Sequence, residues 1–332
     1  MEPFPRSDGT LGWGILATGG IARLFTQDLL EHGHRVDAVG SRSLPSAEAF
    51  AATHGIPRAY GSYEELVADP DVDVVYVATP HNFHAQNATL ALEHGKHVLI
   101  EKSFTLTQAE ARSVTELAAR KGLVVVEAMW TRFLPHMAYV HDVIAAGRIG
   151  DIRHLHADHA QSLPRDDTHR LNNPTLAGGA LLDLGIYPIS FAHDILGAPV
   201  DIDARATFTR TGVDGSVATI FTHQGGAIST TFSSMEARGP NRATIVGTKG
   251  RLELADTWYT PTTVSLYDRN DLVEEYEEPV SGRGMQFQAA ELERLVREGL
   301  PGSPLITPAE SVAIMGTMDA VRETIGLRYP GE

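Results

Sequence analysis

Leu11-Gly-Trp-Gly-Ile-Leu-Ala-Thr-Gly-Gly-Ile-Ala22 is the stretch whose reading decides the fold. A short apolar run reaches a tight turn at Ala17, Thr18, Gly19 and Gly20, and a helical pattern begins at once with Ile21. This is the layout of the first strand–turn–helix of a dinucleotide-binding fold. Its glycines let the backbone approach a pyrophosphate, and the new helix offers unpaired N–H groups to the charge. Against the spacing G-x-G-x-x-G/A, Ala17 holds the first glycine's place, Gly19 the second and Ala22 the third. A strand–turn–helix with no ligand fits the same residues, so the flanking sequence has to decide.

Working outward, Ile21, Leu24, Phe25, Leu29 and Leu30 recur at helical spacing until His32-Gly33-His34. Residues 35–42 then read as a second parallel strand. About twenty residues beyond a glycine turn, an acidic residue would bind the ribose 2′-hydroxyl of NAD. Here Ser41 and Arg42 stand in that place. A hydroxyl and a guanidinium suit a 2′-phosphate, which favours NADP; the plainer alternative is that Arg42 solvates a loop end. Helices at 46–54 and 63–68 follow, then a β-branched strand at 72–78 that ends in Thr79, Pro80, His81, Asn82, Phe83 and His84. A strand at 97–100 runs into Glu101, Lys102 and Ser103, a helix follows from the Thr107 cap to 121, and a strand at 123–127 leads to Trp130, Arg132 and Phe133. Strands and helices alternate, with polar residues gathered at strand carboxyl ends. The expectation is an α/β fold whose N-terminal part is a Rossmann doubly wound parallel sheet, residues 1–130.

The second part, residues 131–332, reads differently. A helix at 135–146 and a strand at 151–161 precede a polar loop. Then comes Gly178-Gly-Ala-Leu-Leu-Asp-Leu-Gly-Ile-Tyr187, a helix start that puts Asp183 and Tyr187 four residues apart on one face. Strand-like runs at 200–210, 217–223, 227–234, 242–247, 250–254 and 263–268 are separated by Gly/Asp/Pro turns. They predict an α+β domain with an open, mostly antiparallel sheet. Helices at 285–298 and 307–325 close the chain, the last expected to pack back on the first domain.

The formal charge of −15, from 27 basic and 42 acidic residues, argues against holding a phosphate backbone. With no cysteine, disulfides, thiolate zinc sites and cysteine nucleophiles are excluded. The first ten residues carry Glu2, Arg6, Asp8 and two prolines with no apolar core, and no uninterrupted apolar run approaches spanning length. The expectation is a soluble, cytoplasmic protein with no membrane partner. His154, His156 and Asp158 share one strand face; without cysteine a metal there is disfavoured, and the face reads as open sheet.

Taken together, the chain resembles the glucose–fructose oxidoreductase / inositol dehydrogenase / MocA family over nearly its whole length. Trp13 to Ala22, Ala78-Thr-Pro-His-Asn-Phe-His84, Glu101-Lys102 and Gly178-Gly-Ala-Leu-Leu-Asp-Leu-Gly185 stand in the family's order. Glu127-Ala-Met-Trp-Thr-Arg-Phe133 and Gly326-Leu-Arg-Tyr-Pro330 resemble the branch of dimeric dihydrodiol dehydrogenases and NADP-dependent D-xylose 1-dehydrogenases. Three positions depart from the family's common pattern. Ser103 replaces a proline, Ala17 replaces a glycine, and Tyr187 stands where the inositol dehydrogenase type has histidine, as is usual in this branch.

The resemblance implies a hydride transfer between NADP(H) and a sugar, polyol or cyclic diol, with Lys102 and Tyr187 as the acid–base pair. A free phenol with pKa near ~10 is too weakly acidic to act as a base at neutral pH, and a neighbouring ammonium favours the phenolate. Asp183 would orient either group or hold a substrate hydroxyl. Ala17, Thr18, Gly19, Gly20, Ile21, Ser41 and Arg42 would hold the cofactor's phosphates and ribose. Thr79, Pro80, His81, Asn82, Glu101 and Lys102 would lie toward its nicotinamide end. His84 reads equally as a cofactor contact or as a satisfied histidine at a helix start. Trp130, Arg132 and Phe133 would wall the substrate pocket. A homodimer through the open sheet is implied as well. The runner-up is a catalytically silent dinucleotide sensor of the same fold; a plain sugar-binding module leaves the glycine turn and Ser41-Arg42 unexplained.

Overall fold

The computed structural model describes residues 10–330; the polar stretch with Glu2, Arg6 and Asp8 lies outside the described residues. The chain divides into two compact units, Met1–Trp130 with Ser281–Val312, and Thr131–Val280 with Ala313–Glu332.

In the first unit, β1 (Gly12–Leu16), α1 (Gly20–Glu31), β2 (Arg35–Gly40), α2 (Leu44–His54), β3 (Arg58–Tyr60), α3 (Tyr63–Ala68), β4 (Val74–Val77), α4 (His84–Glu93), β5 (His97–Glu101), α5 (Gln108–Lys121) and β6 (Val125–Ala128) alternate. All six strands pair in parallel, in the order β3-β2-β1-β4-β5-β6. The order reverses between β1 and β4, the switch point at which open sheets of this kind take a dinucleotide. Residues of β1, β4 and β5 are buried throughout, as a sheet covered on both faces requires. Trp13 meets Phe25 edge-on at 5.5 Å, and Phe25 lies 4.0 Å from Tyr76, locking α1 onto β1 and β4. Each ring fully removed from water contributes roughly 2–3 kcal/mol. The short strand β3 escapes a sequence reading because three residues carry no periodicity.

The buried stripe of α1 contains an acid. Asp28 accepts the backbone N–H groups of Arg283 at 3.1 Å and Met285 at 3.0 Å, at the start of α8 (Gln286–Glu298). Glu293 on α8 accepts from Trp13 Nε1 at 2.9 Å and bonds His34 Nδ1 at 2.7 Å. These contacts lie within the first unit, which includes Ser281–Val312; the sequence reading groups 131–332 together and lets its last helix pack back on the first domain. The segment grouped with the first unit is α8 with the first turn of α9 (Pro308–Ile325); Asp28 of α1 takes donors from the start of α8, and Glu293 of α8 is met by Trp13 of β1 and by His34.

The second unit contains α6 (Pro135–Ala145), β7 (Ile152–Ala160), α7 (Ile186–Leu196), β8 (Pro199–Phe208), β9 (Asp214–His223), β10 (Ile228–Ser234), β11 (Ala243–Gly247), β12 (Gly250–Leu254), β13 (Val264–Asp268) and β14 (Asp271–Tyr276). Its eight-stranded sheet has the order β14-β13-β12-β11-β7-β10-β9-β8, antiparallel except where β10 runs parallel to β7. Alternation along β9 buries Val217, Thr219 and Phe221, with Ala218 and Ile220 on the outer face. The apolar α7 packs on the inner face. The stretch Pro174–Leu196, though interrupted by Asp183 and Asp194, is long and apolar enough by length and composition to cross a membrane, but 89% of its most apolar window is buried in the protein. The sequence reading omits β14 because its residues are largely exposed and polar; pairing with β13 alone makes it a strand.

Candidate active site

In the first unit, the turn after β1 leaves Ala17 at φ +93°, a backbone conformation that disfavours a side chain, with its N–H donating to the Gly40 carbonyl at 2.9 Å. Gly19 is extended, and α1 starts behind it with no side-chain cap and no acid in its first turn. The helix's own ladder begins when Arg23 N–H donates to Gly19 at 3.1 Å. A Cβ on Gly19 or Gly20 would meet nothing within 4 Å. The helix start therefore opens onto empty space with a positive dipole and no competing side chain, which fits a diphosphate. Thr18 and Ile21 are half-buried beside it, and Ala22 is fully buried beneath.

At the end of β2, Ser41 N–H donates to the Tyr60 carbonyl at 3.1 Å, and its Oγ accepts from Ser43 N–H at 3.3 Å. Arg42 is exposed beside the Tyr63 hydroxyl. Burial pushes the Tyr63 phenol up, and the Arg42 charge and hydrogen bond pull against it.

Because β1, β4 and β5 are parallel neighbours, their following loops share one rim with the glycine turn. Thr79 is buried, its Oγ1 accepting from Asn87 at 3.1 Å; Pro80 and Asn82 are half-buried, and His81 is buried edge-on to His84 at 5.6 Å. Glu101, the last residue of β5, is buried and accepts the Tyr76 hydroxyl. Lys102 follows, half-buried, and the Lys102–Ser103 peptide is cis. His84 is completely buried, with Nδ1 2.8 Å from the Ser103 carbonyl and Nε2 2.8 Å from the Thr79 carbonyl. This is the arrangement of a satisfied histidine at a helix start, one of its two expected readings. Both ring nitrogens face main-chain carbonyls, and the neutral ring has one N–H to give, so it bonds either the β4 loop or the loop that carries Lys102 according to its tautomer. Burial pushes its pKa down to about 4, and the Lys102 charge adds to the effect.

In the second unit, the helix that carries Tyr187 starts with a widened π turn at Leu181–Gly185 and continues as α7. Such turns recur at functional sites. Asp183 sits in that turn with Arg170 3.1 Å from its carboxylate. Tyr187 lies against His159 (4.8 Å, edge-on) and Tyr259 (5.2 Å), and His159 stacks on Tyr259 at 3.8 Å. The Gln161 amide bonds His159 Nε2 at 2.8 Å and donates to the Tyr259 hydroxyl at 3.3 Å. Burial pushes Tyr259 up to about 12, so it stays a phenol at neutral pH. Sequence reasoning missed Arg170, His159 and Tyr259. The signal for His159 was strand parity, which puts it opposite His154 and His156 on the inward face.

Arg132, expected in the substrate wall, is buried with partners in its own unit. Its guanidinium donates to the Ser190 carbonyl at 3.0 Å and pairs with the buried Asp194 at 3.2 Å, because that carboxylate needs a charged donor. Phe133 is buried in the same unit. Trp130 is buried in the first unit, with the Arg283 guanidinium 5.5 Å over its ring. On the open face, His154 and His156 both lie near Thr230 Oγ1, and Asp158 instead accepts the backbone N–H groups of Asn241 and Arg242. Among the described residues no group of three or more His, Asp or Glu is placed to hold a metal ion.

Residues 11–129 match the model of an oxidoreductase family with an NAD-binding Rossmann fold, and residues 137–253 match the GFO/IDH/MocA C-terminal domain. The chain belongs to the GFO/IDH/MocA oxidoreductase family. Among relatives, it is 36% identical to the trans-1,2-dihydrobenzene-1,2-diol dehydrogenase of Bos taurus, covering 96% of this chain and 98% of that one. It is 38% identical to the NADP(+) D-xylose 1-dehydrogenase of Hypocrea jecorina, over 97% and 93% of the two chains. A solved member of similar shape is KijD10, a 3-ketoreductase from Actinomadura kijaniata in complex with NADP and TDP-benzene. It has a TM-score of 0.86 and 27% identity, over 95% of this chain and 98% of that one. The aldose-aldose oxidoreductase of Caulobacter crescentus, at 23% identity and a TM-score of 0.87, has the same fold.

Proposed function

We propose that this GFO/IDH/MocA protein is an NADP(H)-dependent oxidoreductase acting on a CH–OH group of a sugar, polyol or cyclic diol. The observation that carries the reading is the position of Lys102. It directly follows β5 on the rim shared with the open Gly19–Gly20 helix start, where a dinucleotide's phosphates and its reactive end would span neighbouring loops. Ser41 and the exposed Arg42 support NADP over NAD, and the named relatives that use NADP support the same choice. When bound, the nicotinamide accepts or returns the hydride. The chain's own work is proton movement and orientation. In the oxidative direction Tyr187 takes the hydroxyl proton as the carbonyl forms, the role that the family pattern gives it as partner of Lys102. In reduction, Tyr187 gives the proton back and Lys102 stabilises charge on the carbonyl oxygen. Asp183, paired with Arg170, orients the polar end of the substrate.

The same reading includes a homodimer through the outer sheet face, where Ile220, Ile228 and Phe232 are exposed; light scattering in solution tests it. The catalytic test is NADP⁺- and NAD⁺-dependent nicotinamide absorbance with D-xylose, inositols and trans-1,2-dihydrobenzene-1,2-diol. Lys102→Met, Tyr187→Phe and Arg42→Ala are run alongside. Turnover with NADP⁺ lost in the first two variants, and weakened NADP⁺ binding in the third, is expected. NADP⁺ binding without turnover on any probe would favour the sensor reading.

A further inference from the structure

Asp214 opens β9 and is completely buried. Its Oδ2 accepts the Leu181 N–H at 2.5 Å, and the N–H groups of Ala180 and of Asp214 itself also stabilise the carboxylate. The helix that begins at Ala180 has no other side-chain cap at its start. Oδ1 is buried without a hydrogen-bond partner and faces Gly179. Gly179 has φ +124°, and a Cβ there would stand 2.0 Å from Oδ1. Glycine is thus required twice at this position, by the backbone conformation and by the carboxylate's approach. Buried helix-start amides without acceptors are costly, so the carboxylate fixes where this helix begins.

We propose that Asp214 is a positioning residue for the reaction: by capping the Ala180–Leu181 start, it sets the rotation of the helix that presents Asp183 and Tyr187. Between cap and Tyr187 lies the widened Leu181–Gly185 turn, which is less regular than an α-turn and gains the most from an external anchor. Burial pushes Asp214 up to about 7 despite its N–H donors, with Arg322 the charged neighbour pulling against that rise. A neutral acceptor therefore serves the cap nearly as well as a carboxylate. The inference rests on the reading of Tyr187 as the acid–base group.

Asp214→Ala, Asp214→Asn and Tyr187→Phe are compared for turnover with NADP⁺ and either D-xylose or trans-1,2-dihydrobenzene-1,2-diol. NADP⁺ binding and amide exchange over residues 180–187 are measured on the same proteins. In Asp214→Ala, kcat should fall on the order of 100-fold, as for a catalytic group displaced by about 1 Å, with KM little changed. Exchange at 180–187 should speed at least about tenfold, and NADP⁺ binding should stay as in wild type. Asp214→Asn keeps an acceptor for Leu181 and should restore both kcat and protection. A folded Asp214→Ala with wild-type turnover and protection would overturn the proposal, as would Asn failing as badly as Ala. If Asp214→Ala does not fold, amide protection in the Asn variant decides: retained supports the cap, lost overturns it. Loss of turnover in Tyr187→Phe beside an unaffected Asp214→Ala sinks only this inference, whereas full turnover in Tyr187→Phe sinks the acid–base reading itself.

Discussion

His84 bonds the Ser103 main-chain carbonyl, one residue beyond Lys102, at 2.8 Å, and its other nitrogen faces Thr79 at the same distance. A buried imidazole held near pKa 4 is neutral at pH 7 and donates through one nitrogen, so its tautomer selects which loop it grips. His84→Leu should destabilise the protein by about 2–3 kcal/mol, since a buried donor is lost, and should lower turnover through the Lys102 loop. Urea denaturation beside steady-state rates checks this; unchanged stability would show the bond is dispensable.

Arg132 pairs with Asp194 out of contact with solvent, and the half-exposed His141 reaches the same carboxylate at 3.0 Å. The hydrogen bond to Asp194 raises the His141 pKa. Arg132→Met is expected to cost about 3–5 kcal/mol, because Asp194 is left buried without its main partner. Adding Asp194→Leu should recover most of that loss. A single variant as stable as wild type in guanidinium melts would return Arg132 to the substrate wall.

Ala17 holds a positive φ in a turn where glycine is unstrained. Ala17→Gly should raise stability by up to about 1 kcal/mol, the released strain exceeding the added unfolded-state entropy. NADP⁺ affinity should be kept or improved. Calorimetry with and without NADP⁺ reads both, and a lowered melting temperature would contradict the strain argument.

His84, His97, His136 and His193 are all held down to about 4, burial being the largest cause in each. A folded pKa below the unfolded value of ~6.5 means the unfolded chain binds more protons in that window. Stability is therefore present above pH 6.5 and is lost as pH falls toward and through 4, by up to roughly 3 kcal/mol per histidine. Asp214 acts in the opposite sense: raised to about 7, its contribution is full below the unfolded value and fades as pH rises through 7. With four groups against one, melting temperature should drop between pH 6.5 and 4.5. A flat profile there would mean these rings take up protons in the folded state.

The Rossmann half was legible because its evidence is local. A glycine turn after an apolar strand, β-branched runs and polar strand ends are patterns within a few residues, and pairing then follows from the parallel order. Lys102, Tyr187 and Asp183 are picked out by a family pattern, and Ser41 and Arg42 by their place at the end of the second strand. Which of the expected groups face a ligand was not legible, because side-chain direction depends on partners distant in sequence. Arg132 turns to Asp194, and His84 gives its one N–H to a main-chain carbonyl, since a buried charge or N–H must find a partner. Asp28 draws Arg283 and Met285 back to the first unit for the same reason. Asp214, thirty-three residues beyond the Leu181 amide it caps, carries no local signal at all. The sequence by itself determined the strand order's raw material and the chemistry on offer. Only the tertiary structure decided how the buried polar groups are satisfied, because desolvated donors and acceptors are matched in space and not along the chain.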